Sequence, residues 1–335
     1  MISVVLCTHN GAEYVGQQVQ SILAQQPAPG ELVLGDDASS DDTVSIVERL
    51  VEQHRASGGR IDLVVLRHDP ALGVVANFAD ALAHATGELI ALSDQDDVWH
   101  AGKLAAASAA FDADPSLLLL HTDARLVDAE GAPLGLTLLD ALEVTDGERG
   151  GLEHGDAFAT LLRRNLVTGA TAVLRRDLLA MAMPFPSGWV HDEWLAAIAA
   201  AVGTLRLLPE PFIDYRQHGA NQIGARRPTA SDRWAKLRET REPRASALVR
   251  RSSALVDALE RLGESVPSDR VTRARAALAH EMRRRSLPRA RIARIPRVMA
   301  AAVRGDYAHY SRGGIDVVRD LVQPAGRRSA ATLEA

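Results

Sequence analysis

The sequence lacks the features that define several classes of protein. Its one cysteine, Cys7, excludes an intrachain disulfide and fits a reducing cytoplasm. The longest uncharged apolar stretch covers residues 194–205 and is too short to cross a bilayer. Residues 1–10 contain no basic segment, so no secretory leader is predicted. We therefore expect a cytoplasmic protein, which could lie at the inner face of the cell membrane.

Two nucleotide-binding motifs are also missing. Neither G-x-G-x-x-G nor G-x-x-x-x-G-K-[ST] follows the first apolar run of the chain. These motifs set backbone N–H groups against phosphates, the first in dinucleotide-binding folds and the second in P-loop proteins. A site of either kind is not expected here.

What the chain contains is an ordinary globular composition with unevenly distributed charge. It has 335 residues, of which 47% are hydrophobic and 24% charged. Residues 1–225 carry 13 Lys and Arg against 31 Asp and Glu, a net charge of −18, whereas residues 226–335 carry 25 against 12, a net charge of +13. We predict an acidic domain over residues 1–225 and a basic helical region over residues 226–335.

The first third of the chain alternates short β-branched runs with longer amphipathic segments, which is typical of βαβ units. Strands are predicted at residues 2–8, 32–34, 61–66 and 88–92, and helices at residues 13–25, 41–54 and 74–85. Shorter strands are predicted further on, at residues 117–121, 170–174, 205–208 and 212–215, with a helix at residues 192–201. Residues 132–153 are predicted to form a loop. The fold class indicated is α/β, a Rossmann-like open twisted sheet with flanking helices.

Three of the predicted strands end in polar clusters, and open α/β sheets bind ligands at the carboxyl ends of their strands. The clusters are Thr8–Gly11, Asp36–Asp42 and Ser93–Asp97. Asp94 and Asp96, two residues apart, can reach the same hard cation through oxygen ligands. A cation there would offset the charge of a diphosphate leaving group.

Each cluster also has a purely structural interpretation. The carboxylates of Asp94–Asp97 could form a solvated acidic turn, and Ser40 or Asp41 could cap the helix that follows. A carboxylate at Asp36 or Asp37 could instead accept the imide N–H of a uracil or thymine ring. The residues taken singly leave these alternatives open.

Taken together, the clusters resemble the successive motifs of glycosyltransferase family 2. The segments that carry the resemblance are Val4–Gly11, Gly35–Thr43 and Leu92–Trp99, and the likeness covers about residues 1–222. The Ser-Asp-Gln-Asp-Asp-Val-Trp form is most similar to rhamnosyltransferase-like members, which use dTDP-rhamnose. The resemblance implies a GT-A fold and an inverting, metal-dependent transfer of a sugar from a dTDP- or UDP-sugar to a hydroxyl of a glycan or glycolipid, in polysaccharide biosynthesis of the cell envelope.

The resemblance also implies roles for single residues on the donor side. A metal ion, Mg²⁺ or Mn²⁺, would be bound by Asp96 and His218. The nucleotide sugar would be contacted by Thr8, Asn10, Asp36, Asp37, Asn77 and Asp94. Asn77 has an alternative role as a residue at the start of a helix.

On the acceptor side, the segments Asn165–Thr171 and Trp189–Trp194 resemble the family's acceptor-binding and catalytic-base segments. The resemblance implies Asp192 as the catalytic base, with Glu193 as the fallback. The acceptor would be contacted by Thr168, Gly169, Trp189 and Trp194, the tryptophans through exposed indole faces. The structural alternative for Asp192 is a helix N-cap. Because the Gln-x-x-Arg-Trp motif of processive synthases is absent, a single sugar addition is implied.

The basic region contains a segment with eight arginines and no acidic residue, residues 282–305. This segment could pack on the acidic domain, or it could make peripheral contact with an anionic membrane. Nucleic acid is not an expected partner. Two other functions remain open for the whole chain: a sugar-phosphate nucleotidyltransferase, and a non-catalytic protein that binds nucleotide sugars.

Overall fold

The computed structural model describes residues 1–218, 235 and 237–325. They form two compact units. The first comprises Met1–Ala157 and continues at Leu166, and the second comprises Phe158–Asn165 and the described residues after 234. The predicted domain boundary after residue 225 lies outside the described residues and stays a prediction.

The first unit is built on a mixed sheet of nine strands in the order β3-β2-β1-β4-β8-β6-β9-β5, with β7 paired to β6. The strands are β1 (Ile2–Thr8), β2 (Glu31–Asp37), β3 (Asp62–His68), β4 (Leu89–Asp94), β5 (Val98–Trp99), β6 (Leu117–Val127), β7 (Pro133–Thr137), β8 (Ala172–Arg175) and β9 (Thr204–Arg216). β1, β2, β3 and β4 run parallel, and β4 pairs with β8 in the antiparallel sense. The ends of β1, β2 and β4 therefore meet at one edge.

Helices flank this sheet. They are α1 (Val15–Leu23), α2 (Thr43–Ala56), α3 (Val74–His84), α4 (Lys103–Ala113), α5 (Leu138–Ala141), α6 (Asp146–Glu153), α8 (Asp177–Ala182) and α9 (His191–Val202), with a 3₁₀ turn at Gly169–Thr171. The core lies between sheet and helices because the central strands are apolar on both faces, as expected of a covered parallel sheet. Val4, Leu6, Leu32 and Leu34 have no exposed surface.

The structure confirms the expected sheet with flanking helices and corrects one segment. Residues 132–153 are not a loop: they form β7, α5 and α6. Each of the two helices is stabilised at its start by a capping box, between Thr137 and Asp140 and between Thr145 and Glu148. Reciprocal side-chain and backbone hydrogen bonds of this kind satisfy the first N–H groups of a short helix. The strands predicted at residues 205–208 and 212–215 are parts of the single strand β9.

The second unit is helical. It contains α7 (Ala157–Arg163, all but its first residue), α10 (Arg241–Leu262), α11 (Ser268–Arg285), α12 (Arg291–Val303), α13 (Asp306–Tyr310) and α14 (Gly314–Val322), with a 3₁₀ turn at Gly263–Ser265. The helical character expected of the basic region is thus confirmed. In the described part of the chain, no helix has both the length and the apolar content needed to span a bilayer.

Candidate active site

The ends of β1 and β2 are joined by the residues predicted to contact the nucleoside. Thr8 and Asp36 are paired in the sheet register, and the Thr8 hydroxyl donates to Asp36 Oδ1 at 2.8 Å. Asp36 Oδ2 also accepts from the Ser39 N–H at 3.0 Å. Asn10, whose φ is 47°, accepts from the Ser40 N–H through Oδ1 at 2.8 Å. These bonds fix the two strand-end loops against each other.

Asp37 holds the turn that precedes α3. Its two carboxylate oxygens accept from the backbone N–H groups of Leu72, at 2.5 Å, and Gly73, at 2.9 Å. The side chain is 7% exposed. Asp37 therefore orders this turn whatever it contacts in a complex, and its role in base recognition stays a prediction.

Asn77 is buried beneath β2. It is 2% exposed, and its amide donates to the Gly35 carbonyl at 2.9 Å. A Cβ atom on Gly35 would collide with Asn77 Oδ1, so glycine allows this close approach. The structure thus gives Asn77 a packing position in the first turn of α3, and a contact with the donor stays a prediction.

Asp96 and His218 are brought together from distant parts of the sequence. Asp96 follows β4 and His218 follows β9, and Asp96 Oδ2 lies 2.8 Å from His218 Nε2. Both side chains are mostly buried, and the His218 ring stacks on Tyr14 with centroids 4.9 Å apart. The two residues predicted to bind a metal therefore lie at one point of the site.

Carboxylates crowd this region. Burial, together with the neighbouring charges of Asp96 and Asp192, raises the pKa of Asp94 to about 7. Burial followed by the charges of Asp96 and Asp94 raises the pKa of Asp97 well above its usual value. Like charges in a poorly solvated place repel one another, and a bound cation would relieve that repulsion. The predicted base, 98 residues further along the chain than Asp94, lies within electrostatic reach of it.

Lys103 is a buried cation next to these carboxylates. It is 1% exposed, its ammonium group donates to the Ala170 carbonyl at 2.7 Å, and Nζ lies 3.9 Å from the centroid of the Trp99 ring. Burial lowers the pKa of Lys103 to about 7, against the opposing charges of Asp97 and Asp94. The prediction from sequence missed this residue, although a chain with two lysines, Lys103 and Lys236, gave a signal to follow.

Asp192 is held by the segment predicted to lie under the acceptor. Its Oδ2 accepts from the backbone N–H of Gly169 at 2.9 Å. Asp192 lies in the first turn of α9, and the N-cap position belongs to Val190, so the N-cap alternative is wrong. The Thr168 carbonyl accepts from the N–H of Thr171 at 3.0 Å, which closes the 3₁₀ turn that aims the Gly169 N–H.

The His191 side chain packs against the same turn. Its ring stacks on Phe78 with centroids 3.9 Å apart, and burial lowers its pKa to about 3, so it is neutral at physiological pH. A Cβ atom on Gly169 would lie 3.1 Å from His191 Nε2 and 3.6 Å from Asp192 Oδ2. Glycine at position 169 thus allows the turn to pack closely on the His191 ring.

The two tryptophans near Asp192 differ in exposure. Trp194 is 1% exposed and donates from Nε1 to the Ala182 carbonyl at 2.6 Å. The prediction of an exposed indole for sugar stacking is therefore wrong at Trp194, because this position of α9 faces the core. Trp189 is half-buried and meets Trp194 edge to face, with centroids 5.1 Å apart. It keeps some surface for a ligand.

Arg216, at the end of β9, organises the loop that carries Asp96. It is 4% exposed, and its guanidinium donates to the carbonyls of Asp96 at 2.9 Å and Ala129 at 2.7 Å. Its backbone N–H donates to Asp97 Oδ1 at 3.1 Å. The sequence left its partner open between a phosphate and an acidic neighbour. In the structure, its guanidinium also donates to the Gln17 side-chain oxygen at 2.9 Å.

The donor set is compatible with a divalent cation that a ligand would help to bind. Over residues 1–218 and 237–325, no group of three or more His, Cys, Asp or Glu side chains is arranged around a common point for a metal ion. Asp96 and His218 supply two donor atoms 2.8 Å apart, beside the carboxylate of Asp94. Mg²⁺ in enzymes is commonly held by one or two protein ligands together with phosphates and water. The residues present fit that mode of binding.

Comparison with known proteins identifies the family of this chain. The model of the family described as glycosyl transferase family 2 matches residues 3–178. This chain belongs to glycosyltransferase family 2. The matched segment contains the strand-end clusters and the Gly169 turn.

Curated relatives share part of the sequence. A protein of Mycobacterium tuberculosis with no characterised function is 29% identical over 227 residues, and the alignment covers 65% of this chain and 59% of that protein. The chain thus spans well under two thirds of that relative. A β-1,3-glucosyltransferase of Escherichia coli, named for the donor UDP-Glc and the acceptor α-D-GlcNAc-diphosphoundecaprenol, is 34% identical over 104 residues, covering 31% of this chain and 38% of that enzyme.

Solved structures show the same fold. Residues 1–349 of TarS from S. aureus, in complex with UDP-GlcNAc, superpose with a TM-score of 0.56 at 17% identity, over 95% of this chain and 89% of that one. The mannosyltransferase PcManGT from Pyrobaculum calidifontis, with GDP-Man and Mn²⁺, gives a TM-score of 0.52 at 22% identity, over 90% and 75%. The fold of this glycosyltransferase family 2 member is therefore of the GT-A type.

Proposed function

We propose that this protein is an inverting glycosyltransferase that moves a sugar from a nucleoside-diphosphate sugar to a hydroxyl group of a lipid-linked glycan. The observation that carries the proposal is that Asp192, 98 residues further along the chain, is held by the Gly169 turn near enough to Asp94 for its charge to act on that carboxyl group. An inverting displacement needs one carboxylate for the acceptor and a separate group of residues for the leaving diphosphate.

Asp192 is the proposed base. Its carboxylate takes the proton of the acceptor hydroxyl as that oxygen attacks the anomeric carbon, and the bond to the diphosphate breaks on the opposite face. Two backbone N–H groups orient the carboxylate: Gly169 donates to Oδ2 at 2.9 Å and Glu193 donates to Oδ1 at 2.7 Å. The two oxygens of a carboxylate offer about four acceptor sites, more than these two backbone hydrogen bonds use.

Asp96 and His218 would hold Mg²⁺ or Mn²⁺, which offsets the charge of the departing diphosphate when bound. Arg216 keeps the Asp96 loop in place through the Asp96 carbonyl. Lys103 balances part of the charge of Asp94 and Asp97 from the buried side. The short distance between the Asp96 and His218 side chains supports a cation site. PcManGT, which has the same fold, is bound to Mn²⁺.

The donor proposed is a dTDP- or UDP-sugar, with dTDP-rhamnose first because of the Ser-Asp-Gln-Asp-Asp-Val-Trp segment. Thr8, Asn10, Asp36 and Asp37, at the joined ends of β1 and β2, and Asp94, at the end of β4, are proposed to line its site. The acceptor proposed is a polyprenol-linked glycan of polysaccharide biosynthesis, in contact with Thr168, Gly169 and Trp189. The E. coli relative, which is named for such an acceptor, supports this choice.

The experiment that tests the function is a thermal-shift panel of UDP-, dTDP- and GDP-sugars with and without Mn²⁺, followed by transfer assays with the donor that binds. We expect one nucleotide class to raise Tm in a Mn²⁺-dependent way and sugar to be transferred with inversion, as read by NMR of the product. Donor binding with no transfer to any polyprenol-linked or free glycan would favour the non-catalytic alternative. Retention of the anomeric configuration would reject the single displacement.

A further inference from the structure

Two helices of the second unit carry apolar side chains on the face opposite their own packing. In α12, Val298 and Ala301 are buried in a cluster that also contains Tyr307. The same helix exposes four apolar residues at helical spacing: Ile292 82%, Ile295 47%, Met299 47% and Val303 85%. Positions spaced by three or four residues share one side of a helix. We call these four residues the α12 stripe.

α14 repeats the arrangement. Its Val317 and Leu321 pack against the same cluster, whereas Ile315 is 51% exposed, Val318 50% and Val322 42%. These last three are the α14 stripe. Folding of the unit does not account for either stripe, because the apolar core of the unit uses other positions of both helices. Several exposed apolar residues on one side of a helix indicate an interaction site.

The charges around the stripes have one sign. Of the eight arginines in residues 282–305, two are internal: Arg284, 5% exposed, and Arg294, 0% exposed. The other six are exposed: Arg283, Arg285, Arg289, Arg291, Arg297 and Arg304. Arg294 ties α12 down by donating to the carbonyls of Pro288 at 2.7 Å and Asp320 at 2.9 Å.

The acidic residues of the same region are turned inward. Arg284 forms ion pairs with Asp320 at 2.7 Å and with Asp316 at 3.6 Å, and both aspartates are 2% exposed. Asp306, whose side chain is 14% exposed, is paired with Arg283 and Arg304. The described residues from 282 to 325 therefore include no exposed acidic side chain. Their surface combines apolar stripes with arginines.

We propose that the α12 and α14 stripes are a docking surface for an anionic lipid bilayer, on which the two helices lie in the plane of the membrane. Helices with an apolar face and arginines beside it bind in this way, the apolar side chains below the headgroups and the guanidinium groups among them. α12 has 13 residues and a length of about 20 Å, too short to cross the bilayer. The inference rests on the proposed function in its choice of a lipid-linked acceptor, which such a surface would bring within reach.

A second copy of the chain is a poorer occupant of this surface. Two copies meeting through the stripes would bring two sets of six arginines together, and residues 282–325 offer them no exposed acidic side chain. Like charges at an interface oppose association. Anionic headgroups supply the missing negative charge. Charge complementarity thus favours the bilayer.

The test is flotation of the full chain with vesicles of phosphatidylcholine alone or with about one third phosphatidylglycerol. We expect binding to the anionic vesicles, falling about fivefold for each exposed arginine changed to glutamine, as in Arg291→Gln and Arg297→Gln. The double change Ile292→Glu with Val303→Glu should reduce binding at least about tenfold, since it places charge in the apolar layer. Ile315→Glu with Val318→Glu tests α14 separately.

The matched control is Leu134→Glu, a residue of β7 with the same 47% exposure as Ile295 and Met299. This variant should bind vesicles as the wild type does. Equal binding of neutral and anionic vesicles, or unchanged binding by both stripe variants, would overturn the proposal. A stable dimer in light scattering that the stripe variants convert to monomer would overturn it as well.

The same assay separates this inference from the proposed function. Asp192→Asn should float with anionic vesicles like the wild type, because Asp192 belongs to the first unit and its test is catalytic. Loss of transfer with intact vesicle binding speaks to the function alone. Intact transfer to a water-soluble acceptor with no vesicle binding speaks against the docking surface alone.

Discussion

Asp192 Oδ2 accepts a hydrogen bond from the backbone N–H of Gly169 at 2.9 Å, which ties the first turn of α9 to the 3₁₀ turn before β8. A shift of the Gly169 N–H would therefore change the position of the Asp192 carboxylate. Substitution of Gly169 should therefore change turnover through Asp192, whereas substitution of a glycine in a simple surface loop should not.

Gly169→Ala is expected to lower kcat about 10- to 100-fold with little change in the KM for the donor. The added Cβ meets His191 Nε2 at 3.1 Å, so the His191 ring or the Gly169 turn must shift, and the Gly169 N–H that orients Asp192 shifts with the turn. Steady-state kinetics gives the split between kcat and KM. Gly150→Ala, in α6, is the control, because its Cβ meets nothing within 4 Å. Equal kcat in both variants would show that the Gly169 contact is irrelevant to turnover.

The proposed metal site predicts a loss of cation-dependent nucleotide binding. In the wild type, saturating UDP or dTDP with Mn²⁺ should raise Tm by about 5 °C over the protein alone. Asp96→Ala and His218→Ala should each abolish the Mn²⁺-dependent part of this shift, as measured by differential scanning fluorimetry. His84→Ala, an exposed histidine of α3, serves as control. A full Mn²⁺ effect in both site variants would place the cation elsewhere.

The two tryptophans should separate ligand binding from stability. Trp194→Phe removes the donor to the Ala182 carbonyl in the core and should cost about 1–3 kcal/mol of unfolding free energy, measured in urea. Trp189→Ala should raise the KM for the acceptor, which Trp194→Phe should not, and should cost about 1 kcal/mol of unfolding free energy through the lost edge-to-face contact. A variant of Trp189 with wild-type acceptor kinetics would remove this residue from the acceptor site.

The buried cluster around Arg284 predicts a pH dependence for the second unit. Arg284 and Arg244, working against burial, lower the pKa of Asp316 to about 2. A carboxyl group with a pKa below its unfolded value stabilises the fold above about pH 4, and this contribution is lost as the pH falls through about 2. Asp316→Asn should cost about 2 kcal/mol at pH 7 and almost nothing at pH 2. Urea unfolding followed by circular dichroism between these pH values measures the difference. A cost that does not change with pH would exclude an electrostatic origin.

Much of the first unit could be predicted because its signals are local. The apolar runs of β1 to β4 and the polar residues directly after them are neighbours in sequence, and the parallel register brings their ends together. The helices at residues 138–141 and 146–153 were missed, although Thr137 with Asp140 and Thr145 with Glu148 are recognisable capping pairs. The two helices have only four and eight residues, too few for a helical pattern to be recognised in the sequence.

Other features depend on contacts that a linear pattern does not contain. Trp194 and Trp189 are five residues apart, and only the packing of α9 shows that the first faces the core. The burial of Lys103 beside Asp94 and Asp97 requires α4, β4 and the Gly169 turn in place. Residues Phe158–Asn165 join the second unit through contacts with residues more than a hundred positions away. Two of the eight arginines of residues 282–305 are internal, and this too follows from helix packing that the sequence pattern does not show.

The central claim is that Asp192 removes the acceptor proton, and the most direct measurement is the turnover of Asp192→Asn beside its affinity for the donor. The account predicts a fall in kcat of about 10²- to 10⁴-fold, a donor Kd within about twofold of the wild type by calorimetry, and an unchanged Tm. Asn keeps an oxygen that can accept from the Gly169 N–H, so the turn stays in place. A near-wild-type kcat in Asp192→Asn, with Glu193→Gln inactive, would contradict the account and move the base to Glu193.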